Sequence, residues 1–119
     1  MSRVYHTAHK RAKFCNIVRN LVTELVLCEH VKVTKSRKNQ VKNTFDKLVT
    51  LAKNNTLHDY RQIFQIIRKN VKDDKNVYVL AKLKNLAIKY KDRKGGYLKV
   101  YNLGSRRGDL ANVYYLTLV

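Results

Sequence analysis

The chain has no tryptophan and no proline, only four glycines and two cysteines, and eight carboxylates against twenty-six lysines and arginines in 119 residues. Each shortage closes off a class of protein. No apolar run approaches the roughly twenty residues that a bilayer span needs, and the N-terminus lacks the apolar core of a signal peptide, so an intracellular protein is expected. Cys15 and Cys28 fall on one predicted helix at a spacing that turns them to different sides, which argues against a bridge and for reduced, packed thiols. The carboxylates are too dispersed for a metal-dependent nuclease. Asp73 and Asp74 are adjacent, but neighbours on a helix do not face one site, so they read as helix-start charges. His6 and His9 near Cys15, and Cys28 near His30, lack the spacing of a four-ligand structural zinc. No glycine pattern precedes a helix with the lysine that cradles nucleotide phosphates. Neither an enzyme, nor a metal or cofactor, nor a small-molecule substrate is implied. The missing proline and the excess of lysine over arginine are compositional marks without a mechanism.

What is abundant is positive charge. A formal net charge of +18 would destabilise a compact state by self-repulsion unless a polyanion neutralised it, so a nucleic-acid partner is expected. The apolar content, 45%, is enough for one core, and the length suits a single domain. Residues 1–13 carry Arg3, Lys10, Arg11 and Lys13 without a carboxylate and read as a flexible basic arm that orders on RNA. Residues 14–119 form the domain.

Within it, Phe14, Ile17, Val18, Leu21, Val22 and Leu25 recur at helical spacing, with Asn16, Asn20 and Thr23 on the other side. Val31 and Val33 alternate with Lys32 and Thr34, as in a short strand. Thr34 or Ser36 caps a second helix with the stripe Val41, Phe45, Leu48 and Ala52, flanked by Lys35, Lys42 and Lys53. Asn54 and Asn55 break it, and Thr56 with Asp59 resembles a capping box opening a third helix with Tyr60, Ile63, Phe64 and Ile67 inward and Arg68 and Lys69 near its end. After Asp73 and Asp74, a fourth stripe is Leu80, Leu83, Ala87 and Tyr90, ended by Gly95 in the left-handed conformation. From Gly96 the period changes to two: residues 97–103 and 113–118 alternate as the strands of a β-hairpin around Gly104-Ser105-Arg106-Arg107-Gly108-Asp109. The first strand joins it as a third. The fold expected is α+β, about four helices on a small three-stranded sheet.

Cations on the arm, on the flank of the second helix (Lys35, Arg37, Lys38, Lys42), at Arg93-Lys94 before the double glycine and at Arg106-Arg107 on the hairpin loop offer several surfaces to phosphate. Tyr97, Tyr101 and Tyr115 share a strand parity with Lys99; they either stack on unpaired bases or form the hairpin's core face, and the second is favoured because large rings usually serve burial.

Four stretches carry a resemblance. Arg19-Asn20-Leu21 with Glu24-Leu25, Glu29 and Val31-Lys32-Val33-Thr34, then Phe45-Asp46-Lys47-Leu48-Val49-Thr50-Leu51-Ala52-Lys53, then Arg93-Lys94-Gly95-Gly96-Tyr97, then Arg106-Arg107-Gly108-Asp109-Leu110-Ala111, in this order, resemble the bacterial-type large-subunit ribosomal protein seventeen family. The likeness runs from Arg19 almost to the last residue. It implies a non-enzymatic constituent of the cytoplasmic large ribosomal subunit that binds large-subunit ribosomal RNA and supports assembly near the nascent-chain tunnel exit, beside neighbouring ribosomal proteins. By that analogy Arg19, Arg37, Lys42, Arg93, Lys94, Arg106 and Arg107 face RNA through phosphate or sugar contacts, and Gly95, Gly96 and Gly108 let backbone approach closely.

Overall fold

The computed structural model describes residues 2–68, 71–72 and 75–119, with side chains from residue 11 onward. Among the described residues the order is α1 (Ser2–Cys28), β1 (His30–Thr34), α2 (Lys35–Asn54), α3 (Leu57–Ile66), α4 (Val79–Lys89), β2 (Leu98–Ser105) and β3 (Asn112–Leu118). Four helices pack on a three-stranded antiparallel sheet of order β1-β3-β2, as the periodicities indicate. Helix α1 starts at Ser2, so it extends back through the stretch read as a basic arm; no glycine or proline between Ser2 and Cys28 interrupts it.

The core sits between one face of the sheet and the four helices. Val22, Leu25 and Val26 of α1, Phe45 and Leu48 of α2, Ile63 of α3, Leu83 of α4 and Leu116 of β3 are fully buried. Helix α2 runs through the middle and touches the other three helices and the sheet. Its interior residues, at i, i+4 and i+7 from Val41, form the stripe that the sequence shows. Asn55 closes it in the left-handed conformation, φ 57°. Thr56 then caps α3, its Oγ1 accepting from the Asp59 N–H at 3.2 Å.

Several expectations are corrected. Thr23 is buried, because the segment after α3 lies across the polar side of α1: Thr23 Oγ1 donates to the Arg19 carbonyl at 2.8 Å and accepts from the Arg68 N–H at 3.1 Å. Arg68 also donates to Asn20 and Asn16, at 3.1 and 3.3 Å. Phe64 is exposed, since α3 is short and buries a single line through Ile63 and Ile67. Helix α4 begins only after Tyr78, downstream of Asp73 and Asp74; these two and Lys69 lie outside the described residues. It ends at Tyr90 with ordinary backbone, and the left-handed glycine is Gly96, φ 63°, which turns the chain into β2. Cys15 and Cys28 are free, as expected, but exposed instead of packed, lying outside the Val18–Val26 stretch that the core covers.

The hairpin contains a bulge. Asn102 pairs with Tyr114 and Gly104 with Val113, leaving Leu103 unpaired. Asn102 Oδ1 accepts from the Gly104 N–H at 2.8 Å, and Gly104 supplies the required positive φ of 88°.

Candidate nucleic-acid interface

The sheet register sorts the basic residues into two ends. Thr34 pairs with Val113, and Val113 with Gly104. The start of α2, with Lys35, Arg37 and Lys38, therefore lies at the same end as the hairpin loop that carries Arg106 and Arg107. At the opposite end Leu98 pairs with Leu118, and there the turn with Arg93, Lys94, Gly95 and Gly96 enters β2. The 20 residues of α2 separate the ends by about 30 Å.

At the hairpin end, the loop is held by its own residues. The Arg106 N–H donates to the Ala111 carbonyl at 2.8 Å, and the Leu110 N–H to the Arg106 carbonyl at 3.0 Å. The Arg106 guanidinium forms a fork on Asp109, Nε to Oδ1 at 3.1 Å and Nη2 to Oδ2. Asp109 Oδ1 also accepts from the Ala111 N–H at 3.2 Å. The hydrogen bond from Arg106 is the main reason that the Asp109 carboxyl lies at about 2, and the same bond raises the Arg106 pKa. Arg106 is thus posed, whereas Arg107 extends without such an anchor among the described residues, and both are exposed.

Nearby, Arg37 lies over the Phe14 ring, 4.5 Å from its centroid, and Lys38 over Tyr114 at 4.3 Å. Arg37 Nη1 is buried and has no hydrogen-bond acceptor among the described residues. The Phe14 contact brings the preceding turn of α1, with exposed Arg11 and Lys13, to this end, and Lys35 is exposed beside it. The side chains of Arg3 and Lys10 lie outside those described.

The other end is built from a distance. Lys53 Nζ donates to the Arg93 carbonyl and, at 2.5 Å, to the Tyr97 hydroxyl, which itself donates to the Arg93 carbonyl at 3.0 Å. Asp46, two turns earlier on α2, lies by the Tyr97 backbone N–H, and its Oδ1 is buried without a hydrogen-bond partner among the described residues. Burial pushes the Asp46 carboxyl above its ordinary pKa, and the nearby Tyr97 N–H and the Lys42 charge oppose this. Lys53, grouped by sequence with the flank cations, therefore faces inward and fixes the turn. Arg93 Nε donates to the Gly95 carbonyl at 3.3 Å, and Arg93 and Lys94 are exposed. Arg19 and Lys42 belong to neither end. Both are half-buried, Arg19 donating to the Ile66 carbonyl at 3.3 Å.

Two features escaped the sequence. A cavity of about 540 Å³ beside the Arg93 turn is lined by Lys53, Lys84 and Lys91 with Asn55 and Tyr60, bringing Lys84 of α4 and Lys91 just after it next to the end of α2. The tyrosines also part company: Tyr97 is buried, while Tyr101 and Tyr115 lie on the outer face of the sheet. Tyr97 stands just before β2, so strand parity does not extend to it. Among the described residues, no three His, Cys, Asp or Glu side chains converge as metal ligands would, and no helix is long and apolar enough to cross a membrane.

The family model for ribosomal protein L17 matches residues 17–119. Large ribosomal subunit protein bL17 of Mycoplasma capricolum is 37% identical over 120 residues, all of both chains. The protein of the same name from Mesoplasma florum is 39% identical over 104 residues, 87% of each chain, and that of Lacticaseibacillus casei 36% over 112 residues, 87% of this chain and 88% of its own.

Proposed function

Because the chain belongs to the ribosomal protein L17 family, we propose that it is a structural constituent of the cytoplasmic large ribosomal subunit, binding ribosomal RNA through both cationic ends without catalysing a reaction. One observation carries this reading: twenty-six lysines and arginines face only eight carboxylates, so most of the positive charge has no acidic side chain to meet. Packed ribosomal RNA supplies the missing charge, through many modest phosphate and sugar contacts. Arg106 and Arg107 with Lys35, Arg37 and Lys38 engage one stretch of backbone, Arg93 and Lys94 with the Gly95-Gly96 turn another. Arg3, Lys10, Arg11 and Lys13 extend the first. A position near the nascent-chain tunnel exit, against neighbouring ribosomal proteins, completes the proposal.

The test is the double variant Arg106→Ala/Arg107→Ala, followed by sedimentation of ribosomal particles from cells in which it is the sole copy. Poor incorporation into large subunits, with the free protein still folded, is the expected result. Normal incorporation would remove the hairpin loop from the interface.

A further inference from the structure

The outer face of the sheet has no role in the contacts described so far. The register lines up Lys32, Tyr115 and Tyr101 across the three strands, and His30, Thr117 and Lys99 in the adjacent row. The helices pack on the opposite face, through Val31, Val33, Leu98 and Leu116. His30 stacks on Tyr115, with ring centroids 5.7 Å apart and planes at 24°. Tyr101 lies 6.4 Å from Tyr115 on its other side. The result is a continuous strip of three rings across all three strands. Tyr101 is 50% exposed, and His30, Lys32 and Lys99 are exposed as well. Neither row contains a carboxylate.

We propose that this face is a stacking platform for unpaired bases of RNA, a deepening that rests on the RNA-binding reading above. Flat rings offer π faces to bases whatever their identity, and single-stranded recognition on open sheets uses aromatic side chains of this kind. Lys32 and Lys99, flanking the strip, meet the phosphates that join the stacked nucleotides. A base-paired duplex hides its base faces and gains nothing from the rings. The platform is therefore selective for single strands, while the cationic ends serve paired and unpaired RNA alike.

The experiment compares the full chain with Tyr101→Thr/Tyr115→Thr, which keeps good strand formers, and with Tyr101→Phe/Tyr115→Phe. Each is titrated with a short oligouridylate and with a blunt RNA duplex at low salt. The threonine variant should lose about five- to a hundred-fold in oligouridylate affinity and little for the duplex, while the phenylalanine variant keeps both. An unchanged oligouridylate affinity, as expected if another ribosomal protein covers the face, would overturn the platform and leave the wider reading intact. So would an equal loss for both RNAs. Wild-type protein that binds neither RNA would overturn the wider reading and the platform together. Should the threonine variant not fold, photo-cross-linking of thiouridine-substituted oligouridylate to the wild-type chain decides. Adducts within 30–34, 98–105 or 112–118 support the platform, and adducts confined to other segments refute it.

Discussion

The turn at 91–97 and the loop at 104–111 each present two adjacent basic residues on exposed backbone, yet they are held by opposite means. The turn is anchored by a side chain some forty residues away, Lys53, which donates to the Arg93 carbonyl and the Tyr97 hydroxyl. The loop is anchored within six residues, by Arg106, Asp109 and Ala111. The two carboxylates register the contrast. Burial raises Asp46, whereas the Arg106 fork lowers Asp109 to about 2. A long-range anchor couples the turn to the stability of the core. A local one lets the loop be changed with little cost to folding.

Breaking the turn should therefore have the largest effect. Tyr97 is buried and meets Lys53 and Tyr90, and Tyr97→Ala should destabilise the fold by about 3–5 kcal/mol, seen as a lowered urea midpoint. Lys53→Met keeps the packing stem but removes the donor to Arg93 and Tyr97, and should cost about 1.5–3 kcal/mol in the same assay. The matching change in the loop, Arg106→Ala/Arg107→Ala, should leave the urea midpoint almost unchanged. On the proposed RNA-binding role its effect should fall on RNA affinity, whose slope of log affinity against log salt should become shallower by about two.

The smallest effect sharpens the comparison through pH. Asp109, with its lowered pKa, contributes to stability above the ordinary carboxylate range and loses that contribution as pH falls through about 2. Asp46, with its raised pKa, favours the folded state below the ordinary range and loses this as pH rises through its own pKa. Carboxyl NMR titration should find Asp109 still ionised at a pH where Asp46 is already protonated. Titration of the two in the reverse order would show that the anchors are not as described.

The same division explains what the sequence made legible. Elements governed by local pattern were readable: the Val41-Phe45-Leu48-Ala52 stripe, the Thr56–Asp59 cap, the alternation at 98–103 and 113–118, and the third strand at Val31 and Val33. The family likeness was readable too, because it lies in short motifs in fixed order. Long-range pairing was not readable. Nothing near Lys53 signals that it turns inward to Arg93, nothing near Thr23 announces the Arg68 backbone, and Tyr97 shares parity with Tyr101 on paper but belongs to the core. The two-ended arrangement of cations likewise depends on β1 pairing with β3 and not with β2, a choice that hydrophobic alternation alone does not make.

The central claim is that the excess of positive charge is matched by ribosomal RNA. Its most direct measurement is the affinity of the full chain for large-subunit ribosomal RNA as salt is raised from 50 to 200 mM. With about six to ten phosphates neutralised across the two ends, affinity should fall by about three to five orders of magnitude. Affinity that does not change over this range, or no binding at the lower salt, would contradict it.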